Sequence, residues 1–382
     1  MVENGIKKTK KFKVMISGYY GFGNIGDEAI ITAITESLRK REPDISFTVL
    51  SSRPELTSKA LNVNSIGRLN IFSIIKELLT TDLFISGGGG LMQDVTGPGS
   101  VTYYGGLITL AQMMNVPTMI YAQGIGPLNI GFNKKMVKNI FNKTTRITVR
   151  DSFSMQDLIN MGIRENKIQV TADPVLLLEG VDKKHVNNIL MGSGIDPHIP
   201  IIGISIRPWH SWYERQLKAF ISVLYQLAKK YNFQILIIPF QHSSDLWLSR
   251  EAEICFKTRP DSDVKINVLE RPCSPKEMMG IIGAMTIVVG MRLHSLIMAA
   301  AQYIPSVGIA YDPKVAYFSS LAGFPCIPSV TELQSVDRLL ETVESLIVNI
   351  DETKKALYNN VPRLTDLAMN NVNVALDILH KK

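Results

Sequence analysis

The sequence predicts an α/β protein made of two Rossmann-like halves with a C-terminal helix. Three observations lead there. Short apolar runs alternate with helical patterns along the chain, glycine-rich loops follow several of those runs, and 382 residues are enough for two domains of ordinary size. In the first half the runs are "KVMIS", "SFTVLS", "LFISG", "TMIYAQG", "RITVR" and "IQVTADPV". In the second they are "IIGISIRP", "QILIIPF", "KINVL", "TIVVG" and "SVGIAY". They are apolar on both faces, as buried parallel strands must be. Alternation with helices implies doubly wound sheets.

The halves separate within "LLEGVDKKHVNNILMGSGIDPHIP", where composition shifts and glycine and proline gather. We place the boundary at about 180–198, giving an N-terminal Rossmann-like domain over 1–185 and a C-terminal one over 198–350. Residues 351–382 read as a helical segment with a break at Pro362. Two such domains facing a cleft form a GT-B-like arrangement.

Hydrophobic residues make up 46% of the chain and charged residues 20%, which suits a folded globular protein. Cys255, Cys273 and Cys326 show no C-x-x-C spacing, so neither a disulfide framework nor a zinc site is expected, and a reducing compartment fits. The net charge is +7, with five lysines in "KKTKKFK" at 7–13. Aromatic residues do not interleave with the basic ones, so nucleic acid is not an expected partner. The tail is either a solvated end or an attachment to anionic lipid. No apolar h-region follows it and no stretch is long enough to span a bilayer. We therefore expect a cytoplasmic protein, with peripheral contact at the inner face of the membrane.

In open α/β sheets ligands bind beyond the carboxyl ends of the strands, so those loops hold the candidates. "GYYGFGNIGDEAI" (18–30) contains G-x-G-x-x-G between a strand and a helix, the context of a dinucleotide site. Asp27 and Glu28 in the first helical turn would repel a pyrophosphate, and "VLSSRPE" offers no ribose-binding acid. Arg53 there leaves NADP open. Asn24 suits a sugar or carboxylate. The four glycines Gly87–Gly90, Gly88 and Gly89 among them, present bare backbone to a ligand or make a plain turn. Gln123 in "AQGIGPL" is a polar contact candidate. Arg150 either meets a ligand or pairs with Asp151.

The second half supplies cations at strand ends. Arg207 follows "GISI", Gln241 and His242 follow "IIPF", and "VVGMRLHSLIMAAAQ" places Arg292 and His294 where an apolar helix begins. A helix N-terminus beside a guanidinium suits a carboxylate or phosphate. Tyr311, Asp312 and Lys314 follow the next strand. No H-E-x-x-H, Walker loop or G-x-S-x-G element is present, so no metal site is expected and P-loop and serine-nucleophile chemistry are disfavoured.

The ordered blocks "GYYGFGNIGDEAI", "DLFISGGGGLMQD", "YAQGIGPL", "VRDSFS", "TADPV" and "GMRLHSLIMAAAQYIPSVGIAYDPKV" resemble the polysaccharide pyruvyl transferase family, most of all its CsaB type. The resemblance runs from about residue 13 to 325. It implies a GT-B-like fold, phosphoenolpyruvate as donor on the C-terminal side, and no cofactor. The acceptor is implied to be a lipid-linked or polymer-bound sugar on the N-terminal side. In the CsaB type it is an N-acetylmannosamine of a secondary cell-wall polymer precursor, pyruvylated to support S-layer anchoring. The family's R-x-H element falls on Arg292 and His294. On this reading Arg292 and Arg207 hold the donor, His294 contacts phosphate or moves a proton, and Asp27 is a base for the sugar hydroxyl. Arg150, Arg207 and Lys314 stand at positions that vary among members. Asn24, Gln123, Gly88 and Gly89 would face substrate. A GT-B glycosyltransferase using a nucleotide sugar, an NADP-dependent oxidoreductase and a non-catalytic glycan-binding protein are the alternatives.

Overall fold

The apolar runs form strands buried on both faces in a computed structural model that describes residues 11–95, 97, 99–209, 214–258, 263–327 and 336–381. The lysines at 7, 8 and 10 lie outside the described residues. The chain divides into two compact units. The first comprises Met1–Phe22, Ile30–Pro174 and Leu367–Lys382, and the second Gly23–Ala29 and Val175–Asp366.

In the first unit the strands are β1 (Lys13–Ser17), β2 (Ser46–Ser51), β3 (Asn64–Gly67), β4 (Leu83–Ser86), β5 (Thr118–Gln123), β6 (Arg146–Val149) and β7 (Ile168–Val170). They form one parallel sheet of order β3-β2-β1-β4-β5-β6-β7. Its helices are α1 (Ile25–Arg41), whose first turn groups with the second unit, α2 (Pro54–Leu61), α3 (Ile71–Leu78), α4 (Gly99–Met113), α5 (Gly131–Lys143) and α6 (Ser152–Asn160). Strand order reverses between β1 and β4, which are paired Val14 to Leu83 through Ser17 to Ser86. Asp151 caps α6, its carboxylate accepting from the Ser154 N–H.

The second unit repeats the plan. It contains α7 (Lys183–Gly192), β8 (Ile201–Ser205), α8 (Glu214–Tyr231), β9 (Gln234–Ile237), α9 (His242–Lys257), β10 (Ile266–Val268) and α10 (Pro275–Gly283). Then follow β11 (Ile287–Gly290), α11 (Leu293–Ala301), β12 (Ser306–Ile309), α12 (Pro313–Ala322), β13 (Cys326–Ile327) and α13 (Val336–Val348). The parallel order is β10-β9-β8-β11-β12-β13, reversing between β8 and β11. Pro275 and a reciprocal Ser274–Glu277 capping box start α10. Asp312 and Pro313 start α12, and Gly323 in the left-handed region (φ 86°) ends it.

Two strands lie outside the expected set. β3 ("NSIG") and β13 ("CI") are sheet edges, where a strand needs no pair of apolar faces and so leaves no apolar run. The expected break at Pro362 is also absent. Helix α14 (Ile350–His380) runs through it. Proline removes one backbone donor, but the flanking Val361 and Leu364 are buried and hold that stretch by packing.

The reversal in the first sheet brings the loop after β1 against the glycines after β4. The Gly87 N–H donates to the Ser17 carbonyl at 2.7 Å. Buried Tyr20 lies over both loops. A Cβ on Gly87 would fall 2.0 Å from its hydroxyl, and one on Gly18 2.3 Å from its ring. Gly87→Ala should therefore overpack this turn and cost about 1–3 kcal/mol in urea unfolding. In a Tyr20→Phe background the same change should cost less. An equal cost in both backgrounds would remove the hydroxyl contact as the cause.

Candidate active site

Parallel pairing delivers a row of side chains to the carboxyl edge of the second sheet. Ser205 of β8 pairs with Gly290 of β11, and Gly290 pairs with Gly308 of β12. Arg207 and Arg292 each lie two residues beyond the ends of β8 and β11, and Tyr311 two beyond β12. Adjacent strands are ~4.8 Å apart, so this register sets the groups side by side. The reversal of strand order between β8 and β11 falls between the two arginines, where α/β proteins hold ligands.

Arg292 is fixed by a buried carboxylate. Its Nε donates to Asp245 Oδ2 at 3.0 Å, its Nη2 donates to Asp245 Oδ1, and Nη2 also donates to Ser244 Oγ at 3.1 Å. Asp245 is 0% exposed. It also accepts from the Gln241 N–H at 3.0 Å and the Ser244 hydroxyl at 2.8 Å. Arginine has five N–H donors. The three bonds use Nε and Nη2, so Nη1 is the part of the guanidinium they leave for a ligand. The Nε–Nη2 edge of Arg292 is thus turned to Asp245.

Arg207 is held differently. Its Nη1 donates to the Tyr311 hydroxyl at 3.1 Å. The guanidinium lies over the rings of Tyr311 (4.8 Å) and Trp209 (5.5 Å), which pack on each other at 4.8 Å. Its buried Nε has no hydrogen-bond partner among the described residues. Lys314 sits half-buried in the first turn of α12, where its N–H meets the capping Asp312.

The G-x-G-x-x-G loop contributes to this same unit. The Ile25 N–H donates to the Phe240 carbonyl at 2.9 Å, and Asn24 forms a bridge with Gln241. Asn24 caps α1, its Oδ1 accepting from the Gly26 N–H at 3.1 Å. Gly21 and Gly23 take left-handed backbone (φ 82° and 74°) to make the turn. Gly26 serves the histidine instead. A Cβ there would fall 2.2 Å from Nδ1 of His294, so the imidazole lies against the first turn of α1. Asp27 follows in that turn, half-buried. The structure therefore groups Asn24, Asp27, Arg207, Arg292, His294 and Lys314 in one unit.

The remaining candidates lie in the first unit. Gln123 is fully buried and its Nε2 donates to Ser86 Oγ and the Gly87 carbonyl, each at 2.8 Å. It clamps the four-glycine turn. Gly88 and Gly89 are buried in that turn, and Gly90 is its exposed member. Arg150 pairs with Asp173 of the "TADPV" block at 3.1 Å, while the Asp151 carboxylate is 3.9 Å from its Nε. The guanidinium packs on Gly124, where a Cβ would meet it at 2.9 Å.

Sequence reasoning passed over Asp245, Ser244 and Trp209. An acid in the first turn of a helix after a buried strand reads as a dipole partner, and nothing in the spacing joins it to a residue 47 positions later. Among the described residues no group of three or more His, Cys, Asp or Glu could hold a metal ion.

The chain is thus an α/β protein of two doubly wound units, with basic groups and helix N-termini at one sheet edge. The family described as polysaccharide pyruvyl transferase matches residues 24–313. The chain belongs to the polysaccharide pyruvyl transferase family, and is a transferase for pyruvyl transfer to polysaccharide. It is 20% identical to the amylovoran biosynthesis protein AmsJ of Erwinia amylovora over 401 residues, covering 91% of this chain and 95% of that protein. A putative UDP-N-acetylglucosamine 2-epimerase of Listeria monocytogenes superposes with a TM-score of 0.69 at 10% identity, covering 97% of each chain. S. aureus MnaA, solved with UDP, gives 0.67 at 10% identity over 96% of this chain and 97% of that one. These likenesses show the fold, which is GT-B-like with two Rossmann-like units.

Two substitutions test the geometry. Asp245→Ala leaves the Arg292 guanidinium without its carboxylate and should cost about 3–5 kcal/mol in unfolding experiments. A loss below ~1 kcal/mol would mean the pair adds no more than an exposed one. Gly26→Ala should displace the His294 ring while the fold survives. Transfer should fall about a hundredfold with an almost unchanged Tm, and normal turnover would detach His294 from the first turn of α1.

Proposed function

We propose that this enzyme transfers pyruvate from phosphoenolpyruvate to two hydroxyls of one sugar as a cyclic ketal and releases inorganic phosphate. The observation that carries this reading is the row of Arg207, Arg292 and Tyr311 beyond three adjacent strands, with His294 in the first turn of α11 beside it. A doubly charged phosphate and a carboxylate on one small molecule match two guanidinium groups and a helix N-terminus. Arg207, oriented by Trp209 and Tyr311, meets one anionic group. Nη1 of Arg292 meets the other, and Lys314 adds charge at the rim.

The chemistry follows from the donor. A proton is added to the methylene carbon, which leaves the adjacent carbon electron-poor. A sugar hydroxyl bonds to that carbon and its proton passes to a base. The carbon–oxygen bond to phosphate then breaks, and the second hydroxyl closes the ring as its proton is taken up by phosphate. His294 supplies or relays the proton near phosphate, since an imidazole can both give and take one. Asp27 in the first turn of α1 takes the hydroxyl proton, with Asn24 holding that turn. Gln123, Gly88, Gly89 and Arg150 shape the loops of the first unit.

On the CsaB-type reading the acceptor is an N-acetylmannosamine of a lipid-linked cell-wall polymer precursor, and the product supports S-layer anchoring. The enzyme meets that precursor at the inner face of the membrane. Among the described residues no helix is long and apolar enough to cross a membrane. Contact would therefore be peripheral.

The test is incubation with phosphoenolpyruvate and a panel of N-acetylmannosamine-containing acceptors, reading phosphate release and acceptor mass together. The acceptor should gain one pyruvate less one water, with one phosphate released per transfer. Arg207→Ala and Arg292→Ala should raise the phosphoenolpyruvate KM, whereas His294→Ala should mainly lower kcat. Transfer of a sugar from a UDP-sugar in the parallel arm would replace this reading with a glycosyltransferase.

A further inference from the structure

Helix α3 carries a broad apolar stripe opposite Ser73, Lys76 and Glu77. Ile74 and Leu78 enter the core of the first unit. Phe72, Ile75 and Leu79, at helical spacings of three and four, face outward. Phe72 is 84% exposed and Leu79, which ends the helix, 72%. The apolar stripe is wider than the core that Ile74 and Leu78 enter, so its outer part faces outward. Leu69 (79% exposed), Met113 and Phe132 extend the surface. A groove of about 870 Å³ runs among α3, α4 and α5, lined by Leu69, Ile71, Tyr103, Leu110, Met113 and Phe132.

The charged residues that line this groove, Arg68 and Lys135, are both basic. Helices α4 and α5 contain no Asp or Glu, and Lys135, exposed on α5, lines the groove. Lys76 is exposed on α3, whose acid, Glu77, accepts from the Thr48 hydroxyl of β2 at 2.8 Å. Arg68 closes one end of the groove, stacked over Tyr103 at 4.2 Å. Burial pushes the Tyr103 hydroxyl pKa up against the pull of that guanidinium, and the hydroxyl donates to the Arg68 carbonyl at 2.7 Å. The groove end is therefore fixed.

We infer that this face docks on an anionic lipid bilayer, with Phe72, Leu79 and their neighbours entering the hydrocarbon edge and the lysines meeting headgroups. Apolar bulk rimmed by cations is the pattern of interfacial anchors. A two-fold contact with a second copy would set the same lysines against each other, which anionic lipid instead neutralises. The inference adds an apolar anchor to the membrane contact proposed above. It is measured without donor or acceptor, so it stands or fails separately from pyruvyl transfer.

The experiment uses full-length protein, a Phe72→Ser/Leu79→Ser variant and a variant lacking residues 1–11. Each is sedimented with vesicles of equal parts phosphatidylcholine and phosphatidylglycerol, and with phosphatidylcholine alone, at low and high salt. Wild type should bind the anionic vesicles, and the double variant should lose about tenfold or more of that binding. At high salt, where charge is screened, the residual binding of wild type should survive removal of residues 1–11 and vanish in the double variant. Both substituted side chains are exposed, so the Tm should hold. Equal binding by wild type and double variant would overturn the inference. So would light scattering that shows a wild-type dimer and a monomeric double variant, because the face would then be a contact between copies.

Discussion

The buried carboxylate of Asp245 is the group on which the candidate site depends. A charge with no exposure is tolerated only when its oxygens are filled, and here guanidinium, hydroxyl and backbone N–H fill them. The bonds join the start of α9 to the residue that opens α11. Gln241, whose N–H serves the carboxylate, also bridges to Asn24, which caps α1. One ion pair thereby fixes three helix starts. Burying it contributes less net stability than its contacts suggest, because desolvation offsets much of the attraction. Its main effect is to give Arg292 one orientation.

The two arginines illustrate different ways to prepare a cation. Arg292 is neutralised on one face by a carboxylate, so the positive charge felt by a ligand at Nη1 is reduced while its position is sharp. Arg207 meets two aromatic rings and a hydroxyl. Those partners restrict its rotation and leave its full charge in place. A ligand with two unequal anionic groups would therefore sense a strong and a weak cation on adjacent strands.

Much of the fold was legible because buried parallel strands write themselves as apolar runs, and eleven of the strands coincide with runs visible in the sequence. The edges were not legible, since "NSIG" and "CI" need no second apolar face. Of the site, Arg292, His294 and Arg207 were readable because they stand where strands end. Asp245 and Trp209 were not. Their significance lies in pairings across strands, and such pairings leave no mark at any fixed spacing. Gln123 was read as a contact for substrate, yet its amide holds the backbone of the glycine turn. A polar residue at a strand end has two possible partners, ligand or loop, and residue type alone does not choose between them.

The G-x-G-x-x-G loop shows the same limit from the other side. In a dinucleotide site the first glycine makes the turn, the second admits the pyrophosphate and the third lets helix and strand approach. Here Gly21 and Gly23 make the turn through left-handed backbone, and Gly26 admits a side chain, the imidazole of His294. The backbone path is that of the nucleotide loop, but the space freed by the third glycine holds protein. Asp27 and Glu28 then add negative charge where a pyrophosphate would need none. The spacing therefore specifies a geometry of close approach, and what approaches here is the imidazole of His294.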